Sequence, residues 1–173
     1  AIINAAPLGI SVTGEYNGTT TITPASFTTA GLVNSETITG LSSATVSASN
    51  VSNNGSNFVT GIVSSGGTAV LSNYKITQAY NASAGNTKNV ATLTPKALTV
   101  GGVSTAADKV YDGTNTASIT GGSLVGIIGS DAVVLNQAGT FSQTGVGTSI
   151  AVTAADYITG SAASNYSLIQ PTG

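Results

Sequence analysis

Two short phrases occur twice in this chain, in the same order. "EYNGT" at residues 15–19 is answered by "VYDGT" at 110–114, so Tyr16 and Tyr111 correspond at a spacing of 95 residues. "SNYKIT" at 72–77 is answered by "SNYSLI" at 164–169, so Tyr74 and Tyr166 correspond at a spacing of 92. A third pair, "APLGI" at 6–10 and "KALTV" at 96–100, sets Leu8 over Leu98 at a spacing of 90. Matched landmarks in one order and at nearly constant spacing point to a duplicated structural unit. The chain therefore reads as two tandem domains, residues 1–94 and 95–173, joined near "TPKAL" at 94–98. Pro95 lacks an N–H and is expected at a strand start or a crossover.

The repeated unit reads as β-structure. The chain holds 27 Thr, 16 Val and 13 Ile against 9 Leu. β-branched side chains suit a pleated, half-buried surface and lose rotamer freedom in helices. Several segments alternate with period two. Leu98 and Val100 share a face in "ALTVGGV", as do Ile150, Val152 and Ala154 in "TSIAVTA". In "NFVTGIVS", Phe58, Thr60 and Ile62 are expected on one face and Val59, Gly61 and Val63 on the other. Turn signals separate these runs: "NNGSN" at 53–57, "SSGG" at 64–67, "NASAGN" at 81–86, "TGG" at 120–122 and "TGVG" at 144–147. The expected fold is two small antiparallel β-sandwiches, immunoglobulin-like, with a β-grasp-like arrangement as the alternative.

Charge excludes several classes of function. Charged residues make up 6 % of the chain, with four Lys, no His and a net charge of −2. That leaves no basic footprint for nucleic acid or anionic lipid. No apolar run approaches the ~20 residues of a membrane span. The absence of Cys rules out disulfides and thiolate zinc sites, and the absence of His removes the commonest general base. No catalytic residue and no cofactor is expected. "AIINAAPLGI" lacks a basic start and a cleavage site, so either a targeting segment has been removed or the chain is part of a longer one.

Four features invite chemistry. Asn17-Gly18 and Asp112-Gly113 accept positive φ and read as tight turns; "KVYDGTNTASIT" is expected to open its repeat as a hairpin. Asp112 and Asn115 are the calcium candidates within it, set against the six to eight oxygens calcium takes. Tyr16, Tyr74, Tyr111 and Tyr166 recur at matched positions and are expected in the core with their hydroxyls on backbone partners; an aromatic platform for sugar is the other reading. Tyr80 and Tyr157 are unmatched between copies. Lys96 and Lys109 are conceivable donors for a Lys–Asn isopeptide bond, with Glu15 and Glu36 the only glutamates. Asn17, Asn50, Asn54, Asn81 and Asn165 each start an N-x-Ser/Thr sequon.

The second copy resembles the YDG-type repeat of large bacterial surface adhesins, many similar to filamentous haemagglutinins secreted by the two-partner route. The resemblance runs from Leu98 to Thr172. It is carried by the "YDGT" start, the "GTFSQTGVGTS" middle and the "SNYSLIQPT" close. The first copy keeps "YNGT" and "SNYKITQ" and diverges between them. The resemblance implies a secreted, extracellular, tandemly arrayed β-domain at a bacterial cell surface, with neighbouring repeats or identical subunits as partners. Three functions follow as expectations: a stalk holding a binding tip away from the cell, a self-assembling filament subunit, and a glycan- or exopolysaccharide-binding module. The filament reading has its own motive. After "SNYKIT" the first copy runs on into "NVATLTPKALTV", whereas the second shows no counterpart of "VATLT". "AIINAAPLGI" at the other end resembles "ATLTPKALTV", which makes Ile2, Ile3, Leu8 and Ile10 the candidates for strand donation.

Overall fold

The computed structural model describes residues 1–76 and 89–171. Among them no α-helix occurs; apart from three short 3-10 turns, the regular structure is all β. No described helix is long and apolar enough to cross a membrane. A β-grasp arrangement would need a helix over its sheet, and none is found among the described residues. The turn at 81–86 and Tyr80 lie outside those residues. The chain divides into two compact units, Ala1–Lys96 and Ala97–Gly173.

Unit 1 contains β1 (Ala6–Glu15), β2 (Thr21–Ile22), β3 (Pro24–Ala30), β4 (Ile38–Val46), β5 (Val59–Gly67), β6 (Tyr74–Ile76) and β7 (Val90–Thr94). β1 alternates, burying Leu8, Ile10, Val12 and Gly14. One sheet is built on β1 and includes β3, β6 and β7; the other has the order β2-β4-β5. Side chains of both sheets meet in one core. Ile10 and Val12 come from β1, Ile22 from β2, Ala44 and Val46 from β4, Val59 from β5, and Ala91 and Leu93 from β7.

Most strand pairs are antiparallel, as the sequence predicts, but β1 is an exception. It pairs antiparallel with β3 and parallel with both β6 and β7. Parallel neighbours need a crossover rather than a hairpin, and both strands reach β1 only after long connections. The alternation expected in "NFVTGIVS" is also broken. Val59 is fully buried while Val63 is exposed, and Ile62 packs on the core. Gly61 lies opposite Thr45 and Val59 opposite Val46, so Thr60 is an extra residue, a bulge that switches the inward face.

Unit 2 contains β8 (Lys96–Gly101), β9 (Thr105–Ala106), β10 (Thr116–Ala117), β11 (Ile119–Thr120) and β12 (Ser123–Val125). β13 (Val134–Asn136), β14 (Gly139–Phe141), β15 (Val152–Ala154), β16 (Tyr157–Thr159) and β17 (Tyr166–Ile169) follow. The pairing scheme of unit 1 returns in shorter pieces. The β8–β12 and β9–β11 pairs repeat β1–β3; β10–β14 repeats β2–β4. The β14–β15 and β13–β16 pairs repeat β4–β5, and β8–β17 repeats β1–β6. Among the described residues nothing repeats β7. The buried apolar residues of this unit are accordingly few: Leu98, Ala117, Ile119 and Tyr166.

Candidate functional site

The duplicated turn has one geometry in both copies. Asn17 Oδ1 accepts the Thr19 N–H and the Thr19 hydroxyl, both at 3.0 Å. Asp112 Oδ1 accepts the Thr114 N–H and hydroxyl, both at 2.9 Å. The glycine between them sits at φ 77° in Gly18 and 78° in Gly113, a conformation open to glycine at little cost. The turn does not close a hairpin, contrary to the expectation for "KVYDGTNTASIT". It carries the chain from β1 to β2, and from β9 to β10, and in each unit those two strands belong to different sheets. A hairpin would leave one of the two sheets without its first strand.

The two copies complete this turn differently. In unit 2 the Lys109 ammonium lies 2.9 Å from Asp112 Oδ1 and donates to Thr114 Oγ1 at 2.8 Å and to the Thr116 carbonyl at 3.2 Å. In unit 1 Gly14 stands at the lysine's position, and the Asn17 amide donates to the matching carbonyl of Thr21 at 2.8 Å. The neutral side chain thus supplies both acceptor and donor, where the charged version needs two residues. Hydrogen bonds from Lys109, then from Thr114, hold the Asp112 carboxyl down at about 2.

Calcium and isopeptide chemistry meet poor geometry here. The Asp112 oxygen that would face a cation already faces an ammonium, and Asn115 uses its backbone carbonyl to accept from Phe141 N–H at 2.7 Å. No group of three or more acids that could hold a metal occurs among the described residues. An isopeptide donor must be a buried lysine. Lys96 and Lys109 are partly exposed and ion-paired, Lys96 with Glu15 at 3.2 Å. Glu36 is engaged by Tyr74. Of the sequons, Asn165 is buried and Asn54 is bonded to backbone, while Asn50 is exposed; Asn81 lies outside the described residues.

Three of the four paired tyrosines are buried, and two form a shared device. The Tyr74 hydroxyl donates to the Glu36 carboxylate and accepts the Val33 N–H at 3.0 Å. The Tyr166 hydroxyl donates to Asp131 Oδ2 at 2.6 Å and accepts the Ile128 N–H at 3.0 Å. The bond to Glu36 is the main cause raising the Tyr74 pKa; for Tyr166 burial leads, followed by the bond to Asp131. Tyr16 is buried beneath β7, with its N–H on the Thr94 carbonyl at 2.9 Å. Tyr111, expected in the core beside it, is instead 63 % exposed. Tyr157 is also exposed. These placements set no four tyrosines on one platform.

The missing β7 explains Tyr111. In unit 1, β7 lies parallel to β1 with Ser11–Glu15 opposite Val90–Thr94. On its other side three asparagines clasp it. Asn54 exchanges two hydrogen bonds with the Leu93 backbone, at 2.7 and 2.8 Å. The buried Asn89 side chain does the same with Val59, at 2.9 and 2.6 Å. Asn57 is also buried; its carbonyl accepts the Ala91 N–H at 3.0 Å while its side chain holds Ser47 and Ala48. In unit 2 the same place is an open groove of about 470 Å³. Its walls include Ala106, Lys109, Tyr111, Phe141, Ile150 and Val152. Phe141 and Val152 stand where Val46 and Val59 close over β7 in unit 1.

The asparagine clasp was not foreseen, because "NNGSN" carries only a turn signal in the sequence. A matched pair of glycines was missed as well. Gly67 and Gly160 both sit at φ 117°, where a Cβ would lie 2.1 Å from the Thr37 carbonyl oxygen and 2.2 Å from that of Ala132. Each lets β5, or β16, approach the strand before it.

Strand-pairing scheme, turn and tyrosine device together define a tandemly duplicated all-β repeat protein. Residues 94–173 match the YDG domain family. A YDG domain thus coincides with the second copy. No curated protein and no solved structure matches the chain.

Proposed function

We propose that the chain is a non-catalytic structural repeat of a secreted cell-surface adhesin or extracellular fibre, acting as a stalk. The carrying observation is the recurrence of one pairing scheme in two units connected through Pro95, which ends β7 and precedes β8. Such a joint lets a unit be added without redesigning its neighbour. The low charge and the absence of Cys and Met suit a durable spacer outside the cell. Two facing sheets sharing one core in unit 1 favour the immunoglobulin-like sandwich description, which we extend to unit 2. Antibodies raised against the purified chain test the assignment on intact producing cells. Surface labelling without permeabilisation is expected; labelling that requires permeabilisation would sink it.

A second reading is a filament subunit joined by strand donation between chains. The open groove of unit 2 favours it. Of the four donor candidates, Leu8 and Ile10 are buried inside β1 and already paired, so they are withdrawn. Ile2 and Ile3 remain exposed.

A further inference from the structure

The groove of unit 2 has the features of a strand acceptor. In unit 1 the segment ending in Tyr16 is covered by β7, and Val12, Gly14 and Tyr16 are buried. In unit 2 the matching residues Ala107, Lys109 and Tyr111 are all exposed, and no strand lies beside them among the described residues. Val110 is 88 % exposed and Val146, on the opposite wall, 85 %. Apolar side chains flanking unpaired backbone form the surface that β-augmentation uses. Backbone pairing would supply affinity, and a pocket for alternate side chains would supply selectivity.

The donor pattern can be read from unit 1. β7 sends Ala91 and Leu93 inward and leaves Thr92 and Thr94 outward. At the spacing that sets Leu8 over Leu98, Ala1 lies over Ala91, Ile3 over Leu93 and Asn4 over Thr94. Residues 1–4 therefore carry the same small-x-large alternation. Residues 1–5 form no strand, with Ile2 87 % and Ile3 100 % exposed. We propose that residues 1–4 of a second copy occupy the groove of unit 2, parallel to residues 107–110. This rests on the filament reading and adds its acceptor, donor and register. The β1–β7 register carries over to set Ala1 opposite Ala107 and Ile3 opposite Lys109. The Asn4 carbonyl then accepts the Tyr111 N–H, as Thr94 accepts that of Tyr16. The Ile3 side chain enters between Phe141, Ile150 and Val152. Each copy has one donor and one acceptor in different units, so the contact is head to tail and propagates.

Two measurements on the full chain test this. The first titrates it with a synthetic peptide, NVATLT, the sequence of residues 89–94, and follows amide chemical shifts. Shifts clustered at Lys109, Tyr111, Phe141 and Val152 are expected. A silent groove would overturn the acceptor, and shifts there with oligosaccharides but not with peptide would assign it to glycan instead. The second is sedimentation velocity from micromolar to millimolar chain. Concentration-dependent growth is expected, abolished in Ile3→Asp and competed away by the peptide. Growth that survives Ile3→Asp, or a monomer throughout, would overturn the second-copy donor. Neither outcome touches the stalk assignment, which stands or falls on surface labelling.

Discussion

At the residue scale the turn and the tyrosine device make opposite demands on pH. The Asp112 carboxyl titrates lower when folded than the usual carboxylate value of 3.8. Its contribution is thus complete above that value and lost as pH falls towards about 2. Unit 1 shows the same turn built on a neutral amide. Asp112→Asn is therefore expected to leave neutral-pH stability nearly unchanged and to flatten the acid limb of unit 2, measured by urea unfolding at neutral and acidic pH. The tyrosines act at the other end. Both pKa values lie above 10.0 when folded, so the folded state holds the proton more tightly. Stability is complete below about 10 and declines as pH rises through the folded values. Tyr166→Phe removes the hydroxyl between Asp131 and Ile128, and a loss of ~1–3 kcal/mol follows from the unsatisfied partners. The double variant Tyr74→Phe with Tyr166→Phe is expected to lose most of the alkaline slope as well.

At the element scale the glycines separate two kinds of constraint. Gly113 and Gly160 both have positive φ. A Cβ at Gly113 meets nothing within 4 Å, whereas at Gly160 it runs into backbone. Gly113→Ala is expected to cost ~1 kcal/mol of conformational strain, and Gly160→Ala ~3 kcal/mol or more, with strain and clash together. Equal losses in denaturant titrations would contradict this. Asn89→Ala strips Val59 of both side-chain bonds and is expected to cost ~2–4 kcal/mol, with faster amide exchange along β7. These elements also show what was legible beforehand. The Tyr landmarks and the Asx-Gly turns are short local signals, and they survived divergence between the copies. The parallel β1–β7 pair was hidden because its strands are far apart in sequence. Tyr111 was misplaced because matching residues imply matching burial only when the covering strand is present. The bulge at Thr60 left no mark in an alternating run.

At the scale of the whole molecule the two units differ in completeness. Unit 1 closes its core with Ala91 and Leu93, while unit 2 leaves Phe141, Ile150 and Val152 around an open groove. Equilibrium unfolding is expected to show two transitions, with unit 2 first. Saturating NVATLT peptide should shift only the earlier one to higher denaturant, as binding to the folded state requires. A single transition unmoved by peptide would deny the units separate stabilities.

The parallel pairing of β1 with β7 has a mechanical consequence. β1 opens unit 1 and β7 closes it, so tension applied at the two ends of that unit drags the paired strands past each other along their length. Their hydrogen bonds are then loaded together in shear, instead of being unzipped one at a time. Unit 2, without a strand in that place, has no such clamp and yields first under load. A donated strand would convert the weakest link of a stretched fibre into one that resists like its neighbour.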